Sequence, residues 1–518
     1  MAFLLFVIGS ALLLAVYVVI DTVTRHVPAN APPTTPDNYP VTGAWGFWGR
    51  RWSWYRRQRD ATPSGNFSFH VGPNTIVSLS GDKGRRLFFE SKELSFTDGY
   101  AVLFGQSPST TIDAHDTDGV KDDDVNNHFS RRLTFLLKNE QFRRKLPTLI
   151  SDTQEAIDAI RDDPSGVTNP FESLYRIVFR LTIRMVGADE IADDPQLLEQ
   201  TLELFEVIDG SATATSVMFP KFPSPAKVKR TYAGAKLYFL VENIIKKRAA
   251  SDVKHDDALQ YMLDQGDRTF KIVEFMVSAL FAGLLNSGIN AARVLCYLAT
   301  SPEWLAKATE EVRATAARYA RDPKAPLRYQ LEDVPLEAWE SEFPVVDMCL
   351  RDSIRLNLMG TAFRKNVSGR AIPTGHGNEV IPPGAFVTYA VADLHLDPEI
   401  YADPLKWDPA RYLPDRAEDK KKSVHGFLGW GTGRHPCCKF KFLIIPFVDS
   451  ADVVCVVGVR FAKLEQNIIT AYFIASFDFH LENKSGDKLA VPPQTDFDRH
   501  TAYKPNPPVF LRVAPKEK

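Results

Sequence analysis

The residues best suited to chemistry lie in one glycine-rich stretch near the C-terminus. This stretch runs Phe427-Leu-Gly-Trp-Gly-Thr-Gly-Arg434-His435-Pro436-Cys437. Its three glycines allow tight turns and let the backbone approach a flat ligand closely. Arg434 and His435 can meet an anionic group, and the thiolate of Cys437 is a soft, electron-rich ligand for iron. The stretch predicts a bound iron cofactor, although by itself it is also compatible with an ordinary turn.

Two further motifs place polar groups within predicted helices. Asp352 and Arg355 are three residues apart and share one helix face, where they can form an ion pair. A surface salt bridge is the alternative interpretation. Elsewhere, an apolar stretch from Phe281 contains small residues followed by Asn286 and Ser287. An amide side chain donates and accepts hydrogen bonds, whereas the alternative is a core helix with a polar interruption.

Helical periodicity dominates the segments that must position these groups. Apolar positions spaced by three and four predict helices over 127–186, 196–208, 233–249, 269–299, 302–319 and 462–475. Residues 67–79 predict a strand pair with a turn at Gly72-Pro73-Asn74, and residues 508–513 predict a final strand. Strands and turns also follow Arg364. The predicted fold class is mainly α with small β-sheets.

Taken in order, the motifs resemble those of the cytochrome P450 family over essentially the whole chain. The glycine-rich stretch resembles the family's haem loop, FxxGxRxCxG. The matching positions are Trp430 for the Phe, Gly433 for the fixed glycine, His435 for the basic residue and Cys437 for the iron ligand. Arg434, beside the basic position, is a further candidate for binding the cofactor.

Three other positions carry the same resemblance. Asp352 to Arg355 resembles ExxR, with Asp in place of Glu, and Arg411 matches the third member of that ion-pair network behind the haem. Arg364 resembles a strand arginine that meets a haem propionate, although a solvated strand residue fits it nearly as well. The stretch from Phe281 resembles the distal motif AGxxT, with Gly283 as its glycine and Asn286 in place of Thr.

The resemblance implies a cytochrome P450 fold with haem b held between the distal helix and the cysteine loop. The implied reaction inserts one oxygen atom of O2 into a lipophilic small molecule. Electrons would come from NADPH through NADPH–cytochrome P450 reductase, for which Arg434 and Lys420 to Lys422 are a candidate docking surface. A solvated lysine run is equally compatible. Asn286, with Ser287 or water, is expected to handle distal proton delivery.

A weaker likeness concerns the branch of the family. Residues 95–100 and 103–105 resemble the substrate-side loop of sterol 14-demethylases and, together with Arg131 and Arg132, suggest a fungal microsomal member. A role in secondary metabolism is the corresponding expectation. No motif ranks sterols, fatty acids, terpenoids or polyketides as substrates.

Two other functions stay open at this stage. The missing distal Thr is compatible with a haem-thiolate isomerase or dehydratase, which rearranges a peroxide without reductase or dioxygen. The second alternative is a catalytically dead chain that is disrupted at the haem loop.

The disruption lies directly after Cys437. In the family, the ligand is followed by any residue and a glycine, but here Val457-Gly458 is reached only after residues 438–456. Lys439 stands where the glycine is expected, and Pro446 prevents an uninterrupted helix. We expect residues 438–456 to be an insertion or a retained, translated intron. The alternative is that residues 438–456 form an additional, strand-like segment that leaves a normal enzyme functional.

The N-terminus predicts membrane attachment. Residues 2–20 are apolar and uncharged, close to the roughly 20 residues that span a bilayer. A cleaved signal peptide would have a basic start, which Met1-Ala2-Phe3 lacks. We predict a transmembrane anchor over 1–21, a proline-rich linker over 22–45 and a catalytic domain over 46–518. Basic residues after the anchor predict a single-pass protein with its domain in the cytoplasm. The resemblance to microsomal members of the family implies the endoplasmic reticulum membrane.

Composition excludes several other classes. Lys+Arg 62 against Asp+Glu 64 gives a formal net charge of -2, without the basic excess typical of nucleic-acid binding. The five cysteines form no CxxC pair, so neither a disulfide framework nor a zinc site is indicated.

Overall fold

The computed structural model describes residues 27–96, 98–99, 123–219, 224–251, 253–433, 435–436, 450–499 and 502–516, with four isolated positions near the N-terminus. For residues 123–127, 435–436 and 450–457 it describes the backbone alone. Almost all of the predicted anchor, Arg434, Cys437 and residues 438–449 lie outside this description, as do residues 103–105.

Helices account for most of the described chain. In its first half these are α1 Gly46–Gly49, α2 Arg51–Asp60, α3 Gly81–Glu90, α4 Asp123–Leu136, α5 Asn139–Asp162, α6 Pro170–Val186, α7 Asp189–Asp193, α8 Pro195–Asp209, α9 Ala214–Met218 and α10 Pro225–Ala249. In its second half they are α11 Ala258–Asp264, α12 Thr269–Ala299, α13 Pro302–Tyr319, α14 Leu327–Gln330, α15 Leu336–Ser341, α16 Pro344–Asn357, α17 Val391–His395, α18 Glu418–Lys421 and α19 Ser450–Ser476.

The strands form small sheets. They are β1 Asn38–Tyr39, β2 Gly43–Ala44, β3 Phe67–Val71, β4 Asn74–Leu79, β5 Leu94–Ser95, β6 Val167–Thr168, β7 Thr361–Asn366, β8 Ile372–Pro373, β9 Val380–Ile381, β10 Phe386–Ala390, β11 Gly431–Thr432, β12 His435–Pro436, β13 Phe477–Glu482 and β14 Phe510–Pro515. The largest sheet has the order β1-β2-β3-β4-β10-β7-β5, with β10 parallel to β4 and antiparallel to β7. The predicted mainly α fold with small sheets is confirmed.

Helix α12 forms the centre of the larger hydrophobic core, where it packs against α6. Twenty of its 31 residues are buried, which explains its apolar composition. Among the described residues it is the one helix long and apolar enough to cross a bilayer, yet 67% of its most apolar window is buried inside the protein. It is therefore a core helix rather than a membrane span.

Some helices begin or end at residues other than those predicted from hydrophobic periodicity, and local capping and turn residues explain the differences. The helical pattern predicted over 127–186 is broken at residues 137–138, between α4 and α5, and again at residues 163–169. In the second break Gly166 adopts a φ of +59 and β6 pairs with β14. Helix α6 then starts because Asn169 caps it and Pro170 occupies its first turn. Helix α10 begins at Pro225 rather than 233, with Ser224 as its cap.

The predicted linker is partly built into the domain. Thr34 bridges to Ser68, and β1 and β2 extend the large sheet through pairing of Gly43 with Val71. Trp54 donates its indole N–H to Asp37 at 2.6 Å. Residues 34–44 are therefore fixed on the sheet.

Candidate active site

The ion pair predicted between Asp352 and Arg355 is present and fully buried. Both residues lie on α16, where Arg355 Nε donates to Asp352 Oδ1 at 2.6 Å and neither side chain is exposed. Burial by itself lowers the pKa of Arg355, but the Asp352 carboxylate outweighs it and the pKa is raised. The guanidinium therefore keeps its charge, and the surface salt-bridge interpretation is excluded.

Arg411 joins the same carboxylate from a short 3-10 turn. Its Nε lies 3.8 Å from Asp352 Oδ1, and its Nη1 donates to Glu418 at 2.9 Å. Asp352 also accepts from the backbone N–H of Asp408 at 2.6 Å and from the hydroxyl of Tyr412 at 3.2 Å. The shorter Asp carboxylate is thus saturated with donors, and the network closes without the Glu of the family pattern.

The two arginines also fix the irregular segment that leads to the glycine-rich loop. Arg355 donates to the carbonyl oxygens of His395 at 2.9 Å and Lys406 at 3.0 Å. Arg411 donates to those of Asp403 at 2.8 Å and Lys406 at 3.1 Å. Since buried guanidinium groups need their donors satisfied, these contacts hold residues 395–406 against α16.

Arg364 is buried rather than solvated. It lies on β7 with 2% exposure, and its Nη1 donates to the carbonyl of Leu94 at 3.1 Å. Its guanidinium carbon lies 5.2 Å from the ring centroid of Phe88. Burial excludes the solvated interpretation, while contact with a haem propionate stays a prediction.

On the distal helix, Ala282 and Asn286 lie one turn apart and are both exposed. The backbone carbonyl of Asn286 accepts a hydrogen bond from the side-chain amide of Asn290 at 2.9 Å. The Oδ1 of Asn290 in turn accepts from the hydroxyl of Ser353 at 3.2 Å. Because Ser353 lies inside the ion-pair motif of α16, two hydrogen bonds join the distal position to that motif.

The glycine of closest helix contact is Gly288 rather than Gly283. A Cβ at Gly283 would lie 4.0 Å from Thr182, which is ordinary contact. A Cβ at Gly288 would lie 2.5 Å from the ring of Tyr175 on α6. Gly288 is therefore the position where packing requires glycine, and no motif in the sequence pointed to it.

Ser287 lies on a different side of the helix from Asn286, because adjacent helical residues do not share a face. It is buried against α19, where its side chain is hydrogen-bonded to the carboxyl group of Glu465. Its carbonyl accepts from the side chain of Gln466 at 3.0 Å. Burial raises the pKa of Glu465 to about 8, so this carboxyl group is mostly protonated at neutral pH.

The glycine-rich loop forms a hairpin that leads directly to Cys437. Gly431 pairs with Pro436 and Thr432 with His435, so Cys437 is the first residue after β12. Gly433 turns the hairpin with a φ of +70, and a Cβ there would lie 2.3 Å from the carbonyl oxygen of Phe89. Both the left-handed φ and the close approach require glycine.

The described part of this loop fits a flat iron cofactor. Trp430 is half-buried, and its indole N–H is buried without a hydrogen-bond partner among the described residues. This donor is available to a further group bound nearby, although Trp48 and Trp339, outside the candidate site, also have buried indole N–H groups without a hydrogen-bond partner among the described residues. A turn that admits only glycine, an orphaned donor and Cys437 next along the chain together fit a haem. The side chains of Arg434, His435 and Cys437 lie outside the described part.

This combination of a helical fold, a buried ExxR-like network and a cysteine hairpin defines the class of haem-thiolate enzymes with the P450 fold. The Cytochrome P450 family matches residues 33–438, and the chain belongs to that family. It is 35% identical over 509 residues to the cytochrome P450 monooxygenase AacuE of Aspergillus aculeatus, covering 97% of this chain and 96% of that protein. It is 34% identical to the cytochrome P450 monooxygenase nsrP of Aspergillus novofumigatus, covering 89% and 86%.

More distantly related P450 proteins are also similar to this chain in sequence or in fold. Obtusifoliol 14-alpha demethylase of Sorghum bicolor is 24% identical, covering 87% of this chain and 85% of that protein. The retinoic acid-bound cyanobacterial CYP120A1 shares the fold with a TM-score of 0.66 at 20% identity, covering 94% of this chain and 99% of that one. The chain is thus a cytochrome P450 monooxygenase, whose family implies a haem-thiolate cofactor, dioxygen, a redox partner and a small-molecule substrate. These relatives do not favour a peroxide isomerase, a dehydratase or a dead chain.

Proposed function

We propose that this protein inserts one oxygen atom of O2 into a lipophilic small molecule of fungal secondary metabolism, with electrons from NADPH–cytochrome P450 reductase. The observation that carries the proposal is the buried network of Asp352, Arg355 and Arg411, together with a hairpin whose last strand immediately precedes Cys437 in the chain. The similarity to named fungal monooxygenases supports the fungal assignment. The apolar N-terminal segment supports attachment to the endoplasmic reticulum membrane, with the domain in the cytoplasm.

In this proposal, haem b binds through the thiolate of Cys437. Gly433 and Trp430 form the turn that carries the ligand, while Arg364, Arg434 and His435 neutralise the propionates. When bound, the haem supplies the oxygen-activating chemistry, which an electron-rich thiolate ligand promotes. Arg434 and Lys420 to Lys422 form the reductase-docking surface, for which the exposure of the three lysines is the support.

Asn286 takes the distal position. Its side chain lies on the exposed face of α12, and its amide can hold a water molecule by donating and accepting hydrogen bonds. Gly283 keeps the neighbouring turn small. Ser287, engaged with Glu465, contributes by fixing the rotation of α12 relative to α19.

Residues 438–456 are, in this proposal, an insertion or a retained, translated intron. The family match ends at residue 438, the first residue of the segment. Residues 450–456 are helical and run without a break into the rest of α19. Removing 438–456 would join Cys437 directly to Val457-Gly458.

Reconstitution with NADPH and reductase tests the function. In the chain lacking 438–456, NADPH oxidation should require reductase and dioxygen together, and Cys437→Ala should abolish it. Cys349→Ala is the matched control, because Cys349 is a buried cysteine on α16 and not the proposed ligand. Rearrangement of a hydroperoxide without NADPH, by a chain that never oxidises NADPH, would overturn the proposal.

A further inference from the structure

The imidazole of His395 holds the beginning of the glycine-rich loop. His395 ends α17 and has no exposed surface. Its Nε2 accepts the backbone N–H of Leu428 at 3.0 Å, and its ring stacks on Phe427 with a centroid distance of 5.4 Å. One side chain thus contacts two successive loop residues, and the contact spans 33 residues of chain.

The protonation state of this imidazole suits the role of a permanent acceptor. Burial, together with the nearby Arg355 guanidinium, lowers the pKa of His395 to about 3. The ring is therefore neutral throughout the working pH range, and its proton lies on Nδ1 because Nε2 accepts.

The same histidine is joined to the ion-pair network through its backbone. Its carbonyl oxygen accepts from Arg355 Nη1 at 2.9 Å. Tyr401, from the same irregular segment, donates its hydroxyl to the carbonyl of Gly426 at 2.6 Å and lies edge-on to the His395 ring. The loop is therefore held at Gly426 and at Leu428 by two fully buried side chains that the network keeps in place.

The loop segment around these two contacts has little room to adjust. A Cβ at Gly426 would lie 2.2 Å from the carbonyl oxygen of Asp419, and one at Gly429 would lie 2.4 Å from the ring of Phe427. The Leu428 carbonyl accepts from the Gly431 N–H at 2.9 Å, which starts the hairpin leading to Cys437. A change at Leu428 is therefore passed directly to the hairpin.

We infer that His395 is a positioning residue for the ligand hairpin. Its neutral Nε2 fixes the Leu428 amide, and the ion-pair network fixes His395. The part of this inference that concerns thiolate ligation rests on the proposed function. The part that concerns the hydrogen bond does not.

Hydrogen exchange of the Leu428 amide tests the hydrogen bond directly. His395→Phe keeps a ring for stacking but removes the acceptor, and it should speed exchange at Leu428 on the order of tenfold, the factor expected for one hydrogen bond. His395→Gln restores an acceptor and should recover much of the protection. His480→Phe is the control, since His480 lies on β13 with 37% side-chain exposure. Unchanged exchange in His395→Phe would overturn the inference.

A measurement on the unaltered protein covers the case in which His395→Phe does not fold. Selective 15N labelling of histidine should show a neutral His395 with its proton on Nδ1, whereas a proton on Nε2 contradicts the inference. In the haem-bound protein, His395→Phe should convert much of the red-shifted carbon monoxide band to the shorter-wavelength band of a lost thiolate. His395→Gln should reverse this. If the parent protein shows no thiolate band, the proposed function fails, while the exchange and nitrogen measurements still decide the role of His395.

Discussion

The carboxylate of Asp352 and the guanidinium of Arg355 are 2.6 Å apart, and neither side chain is exposed to solvent. Removing one partner of such a pair leaves a buried charge unpaired, which costs about 3–5 kcal/mol. We therefore expect Asp352→Asn to lower the free energy of unfolding by that order, measured by urea denaturation. Glu303→Gln is the control, because Glu303 pairs with Lys307 on the surface and such pairs contribute about 0–1 kcal/mol. Equal effects of the two variants would contradict a structural role for the network.

The carboxyl group of Glu465 should make the protein less stable as pH rises. Its pKa is about 8 in the folded protein because it is buried, whereas an unfolded glutamate has an ordinary pKa of about 4.3. Between these values the folded state binds the extra proton, so stability falls by up to about 1.4 kcal/mol per pH unit from this group. Glu465→Gln should remove this decline, raising the thermal midpoint relative to the parent at about pH 8 more than at about pH 5. A difference that is the same at both pH values would show that Glu465 does not titrate this way.

Asn286 should control how efficiently reducing equivalents reach the substrate. In the proposed function the amide of Asn286 holds water at the distal position, so Asn286→Ala should cause more NADPH to be consumed with release of hydrogen peroxide. We expect several-fold more peroxide per NADPH, since positioned proton-transfer groups contribute about 100-fold or more. Asn286→Thr should retain low peroxide release. Asn483→Ala, in the turn after β13, is the surface control, and an identical peroxide yield in all three variants argues against a distal role.

The parts of the site that follow from short-range spacing were predicted from the sequence. Asp352 and Arg355 are one helical turn apart, so their pairing follows once α16 is a helix. Helix α12 keeps the predicted bounds 269–299 because its apolar run is uninterrupted and it lies in the core.

Contacts between residues of different elements could not be predicted in this way. Glu418 lies among charged residues that are typical of a solvated surface, and only its contact with Arg411 reveals its role. The hydrogen bond from Ser353 to Asn290 spans 63 residues, and that from Leu428 to His395 spans 33. The different surroundings of Asn286 and Ser287 depend on the rotation of α12 within the core, which no motif specifies.

The N-terminal segment should account for membrane attachment. Among the described residues, the one apolar helix of sufficient length is a core helix. A chain lacking residues 1–21 should therefore appear in the soluble fraction, while the full chain should stay with membranes after alkaline extraction. Far-ultraviolet circular dichroism of the truncated chain serves as the control for folding. Retention of a folded, truncated chain on membranes would mean that attachment depends on another surface.

In the proposed function, Cys437 ligates haem once residues 438–456 no longer separate it from Val457-Gly458. The most direct test is the reduced, carbon monoxide difference spectrum of the full chain, of the chain lacking 438–456, and of that shorter chain carrying Cys437→Ala. We predict the red-shifted thiolate band in the shorter chain, its loss with Cys437→Ala, and a weak or absent band in the full chain. A strong band in the full chain would show that residues 438–456 do not prevent haem ligation by Cys437. A shorter chain that folds but shows no thiolate band would contradict the account.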